Sequence, residues 1–228
     1  MQGKKYKLII FDLDGTLLDT SQGIFNSVRY AEEKMSLEAI ADDDLRKFVG
    51  PPPAEMYKKL YGLNDEQSLK AAGYHREYGS SKAVYEAKLY SGVTETLDYL
   101  SKQGYILAIA TLKRQDIAEK ILSLYGIGGY FAHIAGMNHA ETDTKSRLIK
   151  RVCALENIVP CDEVLMVGDS QYDYEGAKES GVDFLGVSYG YGFDGTEVGI
   201  RFVGDFVEIK IVLLSLRSHQ SNKWTGQS

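Results

Sequence analysis

The chain has 228 residues, 44% of them hydrophobic and 25% charged, with a net charge of −6; that is globular composition, long enough for one large domain or a domain with an insert, and its acidic balance argues against a surface built to neutralise nucleic-acid phosphates. No stretch reaches the ~18 apolar residues of a membrane span, and the short apolar run near the N-terminus ends in Asp12 rather than in a signal-peptide pattern. Cys153 and Cys161 have neither metal-ligand nor disulfide-scaffold spacing, so a soluble, cytoplasmic protein with reduced thiols is expected.

In chain order, the first element is a buried strand at 6–11 (YKLIIF), which runs into two carboxylates, Asp12 and Asp14, followed by Gly15 and Thr16. Residues 20–90 hold no convincing strand. Ile24, Val28 and Ala31 mark one helix, and Leu45, Phe48 and Val49 a second; Met56, Leu60 and Tyr61 follow the Pro51–Pro53 run, and a long fourth helix starts at Asp65. The segment therefore reads as an inserted helical domain, entered and left through hinge-like linkers at 17–20 and 88–92. Within it, Tyr57/Tyr61 and Tyr74/Tyr78 are spaced four apart, which fits packing between helices or a stacking surface. Arg46, Lys47, Lys58 and Lys59 read as solvated helix charges or a substrate clamp, and Gly50–Pro53 as a rigid connector or a loop facing the site.

Beyond the insert, apolar runs at 105–110 (YILAIA), 131–135 (FAHIA), 163–167 (EVLMV) and 184–187 (FLGV) alternate with helical patterns at 93–102, 115–125, 145–155 and 174–180. Continuous apolar strands separated by helices indicate an open α/β parallel sheet covered on both faces. Residues 218–228 are polar and aperiodic and read as a mobile tail. His75, His133 and His139 belong to no motif, and Lys113 reads as surface charge.

Ligands of such sheets collect beyond the carboxyl ends of the strands. There the sequence sets Asp12 and Asp14, then Thr111, then Lys145 opening a helix, then Asp169 and Asp173. Clustered carboxylates repel unless cations sit among them, and oxygen-only ligands suit Mg²⁺. Two carboxylates on one side of an extended segment can serve as nucleophile and proton donor. Gly15 lets the chain turn with its amides toward an anion, while Thr16, Thr111 and Lys145 offer donors to a phosphoryl group.

FDLDGTLLDT, ATLKR, the lone Lys145 and VGDSQYDYEGAKESGV, in that order, resemble the four signature blocks of the haloacid dehalogenase superfamily of phosphotransferases across residues 6–213. The helical insert after the first block resembles the cap of the subfamily that includes phosphoglycolate phosphatases. The resemblance implies a nucleophilic, metal-binding Asp12 and an acid/base Asp14 whose backbone carbonyl meets Mg²⁺. It further implies phosphoryl-binding Thr111 and Lys145, a metal ligand in Asp169 and a supporting Asp173. In the second block Leu112 stands where that group usually has Asn.

The resulting expectation is a Rossmann-like parallel-sheet core (1–18 and 91–217) with an inserted helical cap domain (19–90). It would be an Mg²⁺-dependent phosphatase of small phosphorylated metabolites, with no nucleic-acid polymer and no membrane as partner. The substrate would be phosphoglycolate-like, with a 5′-nucleotide or sugar phosphate as the alternative. A phosphoglucomutase-type mutase and a non-catalytic phosphate sensor are the rivals from other classes.

Overall fold

The run LIIF forms β1 (Leu8–Phe11), and all four residues are buried. Its side chains alternate between the two faces of a sheet, Ile9 and Phe11 into one hydrophobic cluster, Leu8 and Ile10 into another. The structure, a computed structural model, describes residues 6–138, 142–159 and 163–221. After β1 the chain makes the two-residue strand β2 (Leu18–Asp19) and the helices α1 (Ser21–Met35), α2 (Asp42–Leu45), α3 (Pro53–Tyr61) and α4 (Asp65–Ser81), with a 3-10 turn at Arg46–Phe48. It returns through β3 (Lys88–Leu89) and continues as α5 (Val93–Lys102), β4 (Ile106–Arg114), α6 (Gln115–Leu124) and β5 (His133–Met137). The last elements are α7 (Lys145–Leu155), β6 (Val164–Gly168), α8 (Gln171–Ser180), β7 (Asp183–Val187), β8 (Phe202–Val203) and α9 (Glu208–Ser221).

Six strands form one parallel sheet in the order β5-β4-β1-β6-β7-β8. The order runs outward from β1 through β4 to β5, then jumps back to β6 on the other side, so the switch point lies at the centre, where the ends of β4, β1 and β6 meet. Ile9, Phe11, Leu107, Ile109 and Val167 pack under Leu97, Leu100, Ile121 and Phe206 on one face. Ala108, Ala110 and Met166 pack under Leu148, Ile149, Val152 and Ala177 on the other. This is the expected Rossmann-like α/β sheet.

The helices between β2 and β3 bury a third cluster of their own, with Ile24, Val28, Phe48, Met56, Tyr57 and Ala72 at its centre. Phe48 lies between Tyr57 and Tyr61, and Tyr30 meets Tyr74 and Tyr78. The tyrosine pairs thus pack helices together. Lys47 and Lys58 pair with Asp44 and Asp65 as solvated charges.

Several elements depart from the sequence reading. The linkers are not bare: β2 and β3 pair antiparallel, Leu18 with Leu89 and Asp19 with Lys88. The strand expected to end at Ala110 continues through Thr111 to Arg114 with an irregular register against β5, and β5 starts two residues later than the apolar run suggests. The helix expected from Tyr174 begins at Gln171, one turn earlier. Strand β8 and helix α9 were not anticipated, and α9 makes 218–221 helical where a tail was expected; residues 222–228, His139 and Cys161 lie outside the described residues. Among the described residues, no helix is long and apolar enough to cross a membrane.

Candidate active site

Asp12 follows β1 directly, and its N–H still donates to Val167 O (2.9 Å), so the sheet holds its backbone. Gly15 then takes φ +76°, a left-handed turn, and its N–H donates to Leu18 O. A Cβ on Gly15 would collide with the Asp169 carboxylate, so only glycine lets the loop after β1 approach the loop after β6. Lys145 opens α7 behind the N-cap Thr144. Asp169 follows β6, and Asp173 lies in the first turn of α8, where its Oδ2 accepts from Ser170 N–H (3.1 Å) and Oγ (2.7 Å). That capping box explains the earlier start of the helix.

The expected residues do converge. Lys145 Nζ lies 2.7 Å from Asp12 Oδ1, 2.7 Å from Asp173 Oδ1 and 3.0 Å from Ala110 O. Carboxylate oxygens of Asp12, Asp169 and Asp173 fall within 4.8 Å of one another. Asp169 Oδ2 also accepts from the Tyr191 N–H at 2.7 Å. The Asp14 carboxylate stands apart from that trio: its Oδ2 is 2.9 Å from Lys113 Nζ, and its Oδ1 is buried without a partner among the described residues. Thr111 is buried in β4, its Oγ1 accepting from the Lys113 N–H. Thr16 is also buried, its Oγ1 unpartnered among the described residues.

Lys113 is therefore not surface charge. The extension of β4 past Thr111 carries it to the site, and the strand's apolar run gave no sign of that extension. Tyr191 is the second residue the sequence reading passed over as a site element. The Gly50–Pro53 loop faces the site, since Gly50, Pro51 and Pro53 line a cleft that reaches Asp14, with Leu112 and Lys113 on the opposite wall. His75 is buried in the insert beside Tyr57, and His133 pairs with Glu156 at 2.7 Å; neither reaches the acids.

The buried charges of the site do not balance. Four buried carboxylates face two ammoniums, Lys113 and Lys145, leaving two negative charges when all are ionised. Burial, opposed by Lys145 and reinforced by Asp173, pushes Asp12 up to about 6. Burial together with Asp173 and Asp12 holds Asp169 well above the usual carboxylate range. Burial alone would lower Lys145, but Asp12 and Asp173 hold it above the ordinary lysine value. A buried, all-oxygen trio with two uncompensated charges fits a hard divalent cation.

The sequence model of the haloacid dehalogenase-like hydrolase family matches residues 9–187. The chain belongs to that family. Among its relatives is a 5′-nucleotidase of Pseudomonas aeruginosa, 32% identical over 82% of this chain and 85% of that protein. A phosphoglycolate phosphatase of Mesorhizobium japonicum is 30% identical over 81% and 83%. The tyrosine-protein kinase PtkA of Mycobacterium tuberculosis is 35% identical over 83% of this chain, which spans 65% of that longer protein. A structure from Clostridium acetobutylicum, described as a predicted phosphatase, is 32% identical with a TM-score of 0.87, covering 92% of this chain and 99% of that one. The likeness to that structure thus extends over the insert as well as the sheet.

Proposed function

We propose that this chain is a phosphoric monoester hydrolase that works through an aspartyl-phosphate on Asp12. The observation that carries the reading is the placement of Asp12 at the switch point, 2.7 Å from Lys145, with Asp14 two residues on and Asp169 and Asp173 in the same acidic cluster. Asp12 attacks phosphorus as the bond to the leaving oxygen breaks. Asp14 gives that oxygen a proton, then takes one from the water that attacks the aspartyl-phosphate and releases phosphate and free Asp12. Lys145, Thr111, Thr16 and the Gly15 turn position the phosphoryl oxygens. Asp12, Asp169 and Asp173, with the Asp14 backbone carbonyl, would hold Mg²⁺, which when bound supplies charge to neutralise the cluster and the phosphoryl group.

The α1–α4 insert, residues 19–90, acts in this reading as a cap over a core made of 1–18 and 91–217. Its separate hydrophobic cluster, the β2–β3 ribbon at its base and the Tyr172 hydroxyl donating to Glu55 Oε1 at 2.8 Å across a second cleft beside Lys145 support it. The substrates are small phosphate monoesters, in the range spanned by phosphoglycolate, 5′-nucleotides and sugar phosphates.

A panel of these esters, assayed for released phosphate with and without EDTA, tests the reading. Asp12→Asn is expected to lower kcat by about 10⁴-fold or more with the circular dichroism unchanged. Near-wild-type turnover in that variant refutes the nucleophile. Isomerisation of glucose 1-phosphate without phosphate release points instead to a mutase.

A further inference from the structure

The cleft that descends to Asp14 is walled on the sheet side by Leu112, Ile117 and Ile121 and on the insert side by Ile24, Phe48 and Val84. Among the described residues, Asp14 is the one carboxylate lining it. Three cations also line it, and each is already committed. Lys113 sits on Asp14 at 2.9 Å, Arg114 forks onto both oxygens of Asp116 at 2.6 Å, and Arg76 has an interaction of its own. A leaving group bearing a carboxylate would have to compete with Asp14 or Asp116 for a cation or rely on the Thr20 hydroxyl, and would leave the apolar part of the lining unmatched. An uncharged apolar group meets matching surface instead.

Leu112 decides how the wall begins. It follows Thr111 directly, is 8% exposed, and lines both this cleft and the neighbouring one beside Lys145. It therefore stands next to the phosphoryl position and offers no hydrogen bond to the alcohol being released.

We propose that the alcohol portion of the substrate is an uncharged, ring-sized apolar group seated against Leu112, Phe48 and Ile121, and that Leu112 selects it. The inference rests on the phosphatase reading and narrows its substrate class.

The test compares kcat/KM for benzyl phosphate and 2-phosphoglycolate, using the full chain with Mg²⁺. Both are esters of alkyl alcohols, so the ratio reads how the alcohol part is bound rather than an activated leaving group. Benzyl phosphate is expected to be favoured by about tenfold or more, the scale on which an apolar pocket discriminates. In Leu112→Asn that ratio is expected to shrink by about fivefold or more, because the new amide gives the carboxylate a donor and takes apolar contact from the ring. If Leu112→Asn does not fold, the isosteric Val84→Thr places a hydroxyl on the opposite wall and reads the same ratio. Parity, or preference for 2-phosphoglycolate, overturns the proposal, as does a ratio that a folded variant leaves unmoved. Turnover favouring phosphoglycolate would leave the phosphatase reading intact. Release of phosphate from no monoester at all would overturn both.

Discussion

At Gly176 two rules oppose each other. It lies within α8, where alanine normally stabilises a helix by about 1 kcal/mol. Yet a Cβ there would come within 2.6 Å of Lys145 Cγ, and Lys145 cannot retreat because Asp12, Asp173 and Ala110 O all hold its ammonium. Overpacking costs about 1–3 kcal/mol, so Gly176→Ala is expected to lower both the unfolding midpoint and kcat; a stabilised, fully active variant would contradict the packing. His75 offers a second test. It is buried beside Tyr57 and Phe48, and burial first, then the charges of Lys113 and Arg76, push it down to about 3. The unfolded chain protonates this ring near pH 6.5 and the folded chain does not, so its stabilising contribution is full above pH 6.5 and drains away as pH falls toward 3. Urea unfolding should show the wild type losing roughly 3 kcal/mol more than His75→Leu between pH 7 and pH 4. Equal losses would mean that His75 titrates normally. At this scale much of the candidate site was legible: Asp12 and Asp169 directly follow the apolar runs of β1 and β6, Asp14 and Asp173 lie within a few residues of them, and Lys145 opens an amphipathic helix, whereas Thr111 follows an apolar run but lies inside β4 rather than at its end. Lys113 was not, because its place depends on β4 running three residues beyond Thr111, an extension fixed by pairing of Arg114 with Met137 on β5 and carried by no local pattern.

At the scale of elements, the sequence shows helices with a clean apolar face almost to the residue: α5 and α7 have the expected bounds. It hides short elements whose existence depends on a partner. Strands β2 and β3 are two residues each and exist because they pair with each other across the whole insert, and β8 because it lies against β7. In the proposed cap reading the ribbon marks where a hinge would lie. Asp19, on β2, accepts from the Ser21 N–H and hydroxyl at the start of α1 and from the Tyr191 hydroxyl at 2.6 Å. The Tyr191 N–H meanwhile holds Asp169. One residue therefore connects the base of the insert to the acidic cluster, and the nearby Tyr189 hydroxyl donates to Thr16 O at 2.8 Å. Tyr191→Phe keeps the backbone bond to Asp169 and removes the hinge contact. Its stability cost should be about 1 kcal/mol, one ordinary hydrogen bond. Its effect on turnover should be larger than that cost implies, with kcat and KM moving together as hinge changes do. Unchanged kinetics beside a lowered midpoint would reduce Tyr191 to packing.

For the whole molecule, the acidic cluster makes the folded state and its ligand inseparable. Without a cation the sheet's switch point holds four buried carboxylates against two ammoniums, and the fold tolerates them by raising Asp12 to about 6 and holding Asp169 well above the usual carboxylate range. A carboxyl raised on folding stabilises the protein below the unfolded value near 4, and that contribution is lost as pH rises through about 6. On the proposed reading Mg²⁺ would bind the ionised cluster and so oppose the loss, which would make its stabilising effect grow with pH. At about a hundred times its dissociation constant the ion should add roughly 2.7 kcal/mol, or about 5–11 °C in a chain of this length. The gain measured by calorimetry should therefore be larger at pH 7.5 than at pH 5. Asp169→Asn sharpens the argument, because it removes one of the uncompensated charges along with one of the candidate ligands. Metal-free, that variant should melt above the metal-free wild type, since relieving an unpaired buried charge stabilises; with Mg²⁺ present the order should reverse. A variant that melts lower under both conditions would show the carboxylate to be structural, held for Tyr191 rather than for a cation.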